Sequence, residues 1–558
     1  MLRLARATGI GRWLGQSGLL FCLCAFVVTA SLVLGGGTRG GFLSDAILQL
    51  LSVPLLLVAL WNLFECPLTK QTRAPLLFCL VLVLVPLIQL VPLPPWLWTA
   101  LPGRDLSTEA FEILGQPAPW MPISVSPHET WLSALSLIPP VAIFLAVLQL
   151  DYRERRWLSL VFLSVGVISV FVGLLQIAQG PESLLRFFEI TNPTEAIGFF
   201  ANRNHFAAFL YGLTLFAMAW AIHATALGER AGHRRYDTLL VVAAVGVFTL
   251  LVVLLAGQIM ARSRAGLGLT IIALLGGVAL GASDRRLKSS VTPAKLLIGA
   301  SALVLIFGVQ FALYRVMERF AVDPLEDARL PFGRNTIEAA FAYMPFGSGL
   351  GTFVPVYATF ERPEDTIPNS FANHAHNDFL ELWLSTGVVG LALAGMFVIW
   401  LGLRSFELWR NAPAAGASEL DWTLARSATI IMGLLLAHSL VDYPLRTGAM
   451  MAVMAFACAL LIEPPLGAEA SAKQARTVEP KRKRLADMAS VAHAVPPAVP
   501  TPKSTPIGQS SSEVGSLLPD QRWGADVDWP DEWSKSSERS SPSDDAKSRT
   551  GPKPTKGS

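Results

Sequence analysis

Between residues 17 and 463 the chain alternates long apolar runs with short polar connections, and a helix needs about 20 mostly apolar residues to cross a hydrocarbon layer. Such runs fall near 17–36, 45–65, 75–93, 131–150, 157–179, 206–227, 238–259, 265–282, 294–314, 379–403, 423–440 and 447–463. They predict about twelve membrane-spanning helices, with the runs at 265–282 and 447–463 the shorter ones. Beyond residue 463 the pattern stops. VPPAVPTPKSTP and SSERSSPSDDAKSRTGPKPTKGS are rich in Pro, Ser and charge and too poor in apolar residues to build a core. The expected organisation is an all-α, polytopic transmembrane domain over 1–463 and a disordered tail over 464–558, in which only WGADVDWPDEW, with Trp523, Trp529 and Trp533, has aromatic content to dock elsewhere.

Orientation follows from the basic residues of short loops, because a cytoplasmic excess of Lys and Arg sets topology. The N-terminus carries Arg3, Arg6 and Arg12 ahead of an apolar run of about 20 residues, read as the first span rather than a signal peptide because more spans follow. With this end inside, the inner loops carry Lys70 and Arg73, then Arg153, Arg155 and Arg156, then Arg230, Arg234 and Arg235, then Arg285, Arg286 and Lys288, then Arg404 and Arg410. The KRKR run at 481–484 falls on the same side, so both termini are expected in the cytoplasm. Two outside segments are long, 94–130, rich in Pro and Trp, and 315–378; long loops between spans are often functional.

Composition agrees and excludes other classes. Of 558 residues 52% are hydrophobic and only 15% charged, with mean hydropathy +0.49, against the roughly 25% charge of soluble domains. The 95 residues from Pro464 hold 14 Lys+Arg and 12 Asp+Glu, so the body before them is poorer still in charge. A formal net charge of +3 offers no basic surplus for a polyanion, which excludes a nucleic-acid partner. The cysteines at 22, 24, 66, 79 and 458 lie in or beside apolar runs and form neither a disulfide framework nor a metal-ligand spacing.

In the second long loop, Asn335 and Glu338 have the spacing of an N-cap and capping box opening a short helix, NTIEAAFAYM, which then breaks at PFGSGLGTF. Gly347, Gly349 and Gly351 are expected to form a tight turn; a dinucleotide loop needs a preceding strand, which the pattern does not give. Under the topology above, polar and ionisable groups collect at the outer boundary: Arg203, Asn204 and His205; Arg262 and Arg264; Arg334; His374, His376, Asn377, Asp378 and Glu381; His438, Asp442 and Arg446. Singly, each has an ordinary reading. Arginines beside a span snorkel, buried histidines pack, and Asp442 and Arg446 have the spacing of a helical ion pair. NHAHNDFLELWLSTGVVG stands apart, because His374 and His376 precede a long apolar helix on which Asn377, Glu381 and Ser385 share one stripe. A metal at His374, His376 and Asp378 would need further ligands, and no second dense cluster supplies them. General acid–base work by a histidine is the other use. Several arginines at a lipid interface suit an anionic head group, since guanidinium grips phosphate oxygens with two parallel bonds. A lipid diphosphate bearing a sugar fits. Arginines would stabilise the leaving group and a neutral histidine would take the proton from an attacking hydroxyl, with no metal or other cofactor.

At these residues the sequence resembles the O-antigen ligase and O-antigen/exopolysaccharide polymerase superfamily of bacterial envelope glycosyltransferases. The likeness lies in GFFANRNHFAAFL (198–210), SRAGLGLTIIALL (263–275), RNTIEAAFAYMPFGSGLGTF (334–353), HAHNDFLELWLSTGVVGL (374–391) and HSLVDYPLRTGAM (438–450), within roughly 190–450. It implies a metal-independent, inverting transferase of the polytopic C-type glycosyltransferase class in the bacterial inner membrane. Its donor would be an undecaprenyl-diphosphate-linked glycan used at the periplasmic face, and its acceptor lipid A core or a growing polysaccharide. Carried over, His376 is the acceptor-activating histidine with His374 beside it, and Arg203, Arg264, Arg334 and Arg446 hold the diphosphate; Arg203 stands where many members have proline. Asn204, Asn377, Asp378, Glu381 and Asp442 would support them. A polytopic transporter or flippase of a polysaccharide or lipid-linked intermediate is the alternative reading, and the tail could recruit envelope-biosynthesis partners.

Overall fold

The computed structural model describes residues 16–65, 70–188, 193–230, 237–283, 329–366, 371–411 and 417–463. The span expected at 294–314, the first part of the 315–378 loop and the tail from residue 464 lie outside them. In chain order the described helices are α1 (Gln16–Leu34), α2 (Leu43–Glu65), α3 (Lys70–Gln89), α4 (Pro95–Trp98), α5 (Asp105–Ile113), α6 (Pro127–Ser136), α7 (Ile138–Gln149), α8 (Tyr152–Gln179), α9 (Arg203–Arg230), α10 (Asp237–Ala261), α11 (Arg264–Ser283), α12 (Arg329–Ala342), α13 (Phe353–Phe360), α14 (Asp378–Arg410), α15 (Glu419–His438) and α16 (Gly448–Leu460). Strands among the described residues are limited to a two-residue antiparallel pair, β1 (Pro92–Leu93) with β2 (Met121–Pro122).

Every apolar run expected within the described residues is helical. Eight of these helices, counting α6 and α7 as one, are long and apolar enough to cross a membrane; Gly18–Leu34, Val245–Ala261 and Gly448–Leu460 are shorter. The α9 helix is the hub, with Phe206, Phe209, Tyr211, Leu213 and Phe216 all buried. Neighbours approach it closely where side chains vanish: a Cβ at Gly166 of α8 would strike Leu213, and one at Gly266 of α11 would strike Ala207. By contrast α3 leaves Leu77, Leu80, Leu87 and Ile88 exposed, as befits a helix whose solvent is lipid.

At one end of the bundle a single buried cation fixes two helix termini. The last carbonyls of a helix lack intrahelical donors. Arg155, 3% exposed, donates Nε to the carbonyls of Val147 and Leu150 (3.0 and 3.1 Å), Nη2 to Leu148 (3.2 Å), and Nη1 to Ala459 and Ile462 (3.1 and 2.6 Å). It thus ties the ends of α7 and α16 together.

The other end is built around a break in α14. Gly387, at φ 57° and ψ −140°, interrupts the helix, and the backbone groups released there bond to the glycine turn after α12. Val388 N–H donates to Pro345 (2.9 Å), while Ser348 and Gly349 donate to the carbonyls of Leu384 and Ser385 (2.9 Å each). Irregular backbone within a spanning helix is tolerated where protein satisfies it in this way. The 94–126 segment joins the same assembly. Val125 N–H donates to Ser348 (2.8 Å), and Gln89 at the end of α3 donates to Ser385 (2.9 Å) and accepts from Leu350 N–H (3.0 Å). Trp98 is buried with Nε1–H on Pro119 (2.7 Å).

The expected capping box does not form. The helix starts six residues earlier, at Arg329, which places Asn335 in its buried middle, where Nδ2 donates to Tyr357 (3.3 Å) and Asp365 (3.0 Å). Glu338 instead pairs with Arg362.

Candidate active site

The α14 break and the glycine turn hold the start of α14 against the connection between α15 and α16, and the polar residues meet there. Asn377 is the N-cap of α14: its Oδ1 accepts from the N–H groups of Phe379 and Leu380 (3.0 Å each), and its Nδ2 donates to Leu440 (2.8 Å). Asp378 accepts from Ser439 Oγ (2.7 Å), Leu445 N–H (3.2 Å) and Arg446 Nε (3.3 Å). Of the expected stripe, Glu381 and Ser385 are buried, with Ser385 Oγ donating to the Glu381 carbonyl (2.6 Å).

Asp442 and Arg446 do not form the ion pair their spacing suggests. A 3₁₀ turn at Pro444–Arg446 separates them, and they face different partners. Arg446 Nη1 lies 3.5 Å from Glu381, and its Nε serves Asp378. Burial would discharge this guanidinium, but the two carboxylates outweigh it and hold its pKa above the usual value. Arg446, expected to face a diphosphate, is therefore directed at two carboxylates of its own chain.

Asp442 faces the other way. It is 1% exposed and accepts from Asn204 Nδ2 and from Tyr443 N–H (2.9 Å). Arg329 Nη2 is 3.8 Å away and His376 Nδ1 3.3 Å away. Burial alone would raise its pKa, but His376 and the nearby His205 and His438 hold it well below the usual carboxylate range. His376 itself adopts the left-handed region, at φ 49°, a conformation uncommon outside glycine. Its ring stacks on Phe332 (5.9 Å) and meets Tyr443 edge-on (4.9 Å).

His374 is held differently. Its Nδ1 lies 3.0 and 3.1 Å from the two oxygens of Glu381, and its Nε2 donates to the Thr38 carbonyl at 2.7 Å. Burial opposes its protonation, yet the Glu381 charge and hydrogen bond prevail and raise its pKa.

The remaining arginines each start or ride a helix at this end. Arg203 opens α9 and pairs with Glu195 (3.0 Å). Arg264 opens α11, directly beside α9. Arg334 projects from α12 with 47% of its side chain exposed and pairs with Asp365 (2.7 Å). Of the expected residues, His376, Asn204 and Asp442 form one contiguous group, and His374, Asp378, Glu381 and Arg446 a second; Arg203 and Arg334 have carboxylate partners of their own. Three participants were not foreseen: Tyr443, packed against His205, His374 and His376; Arg329, beside Asp442; and Phe332, under His376. Their one signal in sequence was position, Tyr443 following Asp442 and the other two preceding Arg334.

Comparison with known families bears on the same region. Residues 249–395 match the O-antigen ligase family. The match supports the resemblance to the O-antigen ligase and polymerase superfamily. It covers Arg264, Arg334, His374, His376, Asp378 and Glu381, and the fold brings Asn204, Asp442 and Arg446 to them from outside it. No curated protein matches the chain.

Proposed function

We propose that the chain is a glycosyltransferase of O-antigen ligase type that transfers an undecaprenyl-diphosphate-linked glycan to an acceptor hydroxyl at the periplasmic face of the bacterial inner membrane, by ligation to lipid A core or by polymerisation. The observation that carries this reading is the His376–Asp442 pair, 3.3 Å apart, which joins the matched region to the connection between α15 and α16. Nδ1 stands beside a buried carboxylate, which favours the tautomer protonated at Nδ1 and so leaves Nε2 as the proton acceptor, the way a third group orients a general base. The hydroxyl oxygen attacks the anomeric carbon, its proton passes to Nε2, and the bond from that carbon to the diphosphate oxygen breaks with its electron pair on the diphosphate. Attack opposite the leaving group inverts the anomeric centre. Arg264, Arg334 and Arg203 carry charge at the same end of the bundle, suited to the negative charge growing on the leaving group. No step calls for a metal. Both termini and the tail lie in the cytoplasm, and the 94–130 and 315–378 segments face the periplasm.

Glycan profiling of a deletion strain tests the assignment. Lipid-linked O-antigen accumulating beside bare core is the outcome for ligation, single-repeat products or lost exopolysaccharide that for polymerisation. Unchanged envelope glycans, or lipid-linked glycan trapped on the cytoplasmic face, would contradict it, the latter pointing to a flippase.

A further inference from the structure

We propose that His374 is a fixed imidazolium cation that positions the reacting pair, leaving His376 as the sole base. A neutral imidazole carries one N–H, yet both nitrogens of His374 face groups that only accept. Nε2 lies 2.7 Å from the Thr38 carbonyl and Nδ1 lies 3.0 and 3.1 Å from the carboxylate oxygens of Glu381. A neutral ring would set a lone pair against a lone pair at one of these contacts. Protonating Glu381 instead would work against its other two neighbours, Arg446 at 3.5 Å and the Ala375 N–H at 3.2 Å, both of which favour a carboxylate. With His374 charged, two half-buried cations, His374 and Arg446, balance two buried carboxylates, Asp378 and Glu381, of the first turn of α14.

The cation ties together three segments distant in sequence. Thr38 belongs to the connection between α1 and α2, Glu381 to the first turns of α14, and Tyr443 to the connection between α15 and α16. The Tyr443 ring lies 4.2 Å from that of His374, within reach of a cation–π contact. Its edges carry His205 at 4.8 Å and His376 at 4.9 Å, and its own N–H donates to Asp442. Fixing Tyr443 therefore fixes both members of the His376–Asp442 pair. The two histidines of HAH divide the labour: the first is charged and structural in its contacts, the second reactive. The kinetic consequence rests on the transferase reading, whereas the charge of His374 does not.

The test uses the full chain labelled with nitrogen-15 at histidine and reconstituted in phospholipid bilayers. At about pH 8, where an ordinary histidine with a pKa of about 6.5 is neutral, solid-state spectra should contain a doubly protonated imidazolium. That signal should vanish in His374→Gln. A spectrum without imidazolium, or one whose imidazolium survives the substitution, overturns the proposal. In glycan transfer, His374→Gln should lower kcat about 10- to 100-fold with the donor KM changed less than about threefold, and His374→Lys, which restores a charged donor, should recover about tenfold. A His374→Gln loss as deep as that of His376→Gln, with no gain from lysine, overturns it too, because it makes His374 a second base. Imidazolium present in a wild-type chain that transfers no glycan would refute the transferase reading while upholding the charge assignment.

Discussion

Replacing Asp442 by Asn keeps the shape of the side chain and removes its charge, which isolates what the carboxylate does. In the native arrangement its oxygens accept from Asn204 Nδ2 and Tyr443 N–H and face His376 Nδ1 at 3.3 Å. An amide has one oxygen and one NH₂ for these donors. Asn204 holds Oδ2, whereas Tyr443 N–H and His376 Nδ1 share Oδ1. If the amide oxygen takes the Oδ2 place, its NH₂ opposes Tyr443 N–H and faces His376 Nδ1, which then becomes the acceptor and shifts the proton to Nε2, the nitrogen needed as base. If the amide flips, NH₂ meets the NH₂ of Asn204. Either way the wrong tautomer or a donor–donor clash follows. General-base catalysis contributes about 10²–10⁴-fold, and the equivalent change in a serine-protease triad costs about 10⁴, so kcat should fall by about 10²–10⁴, or about 3–5.5 kcal/mol at 1.36 kcal/mol per tenfold. The assay is transfer from a lipid-diphosphate donor by purified Asp442→Asn, His376→Gln and the double variant, each monodisperse in detergent. Because the two side chains act as a unit, the double variant should be no worse than His376→Gln alone. Additive losses, or an Asp442→Asn chain keeping a third of its activity, would refute the orienting role.

Three further outcomes follow from the packing and charge. Arg155→Met releases five carbonyls at about 1 kcal/mol each, partly offset because the cation no longer has to be desolvated; denaturant titration should show a net loss of about 2–4 kcal/mol, and no change would contradict the capping role. Gly387→Ala should destabilise by about 3 kcal/mol or more, since an added Cβ would strike the Pro345 carbonyl and the residue sits at φ +57, whereas Gly395→Ala, with open space around it, should be neutral or slightly stabilising; equal thermal shifts would contradict the docking of the glycine turn. The pKa of His374 is raised, so the stability it contributes is complete below about pH 6.5 and is lost as pH rises through its folded value. Thermal stability should therefore decline on the alkaline side, a decline that His374→Gln flattens; an unchanged slope would contradict the Glu381 pairing.

The apolar helices were legible because a helix in lipid announces itself by its apolar run, and each run within the described residues is at least largely helical, eight of the helices being long enough to span. The break in α14 was not, because Gly387 in STGVVG looks like any small residue of a spanning helix; its role depends on Pro345 and Gly347 from another segment. Tertiary contact also overrode local spacing at Asn335, which is buried against Tyr357 rather than capping, and at Arg446, whose partners lie more than sixty residues earlier. The polar cluster could be found because ionisable groups near lipid are few. Its division into a reacting pair and a charged support could not, since that rests on which carboxylate each histidine faces.

The most direct measurement is glycan transfer by purified His376→Ala in lipid bilayers, with an undecaprenyl-diphosphate-linked glycan as donor and unaltered thermal stability as the check on folding. Transfer should drop by at least about 10³-fold while donor binding persists. A folded His376→Ala chain that transfers at the wild-type rate would contradict the assignment of this residue as the base, and with it the chemistry proposed for the site.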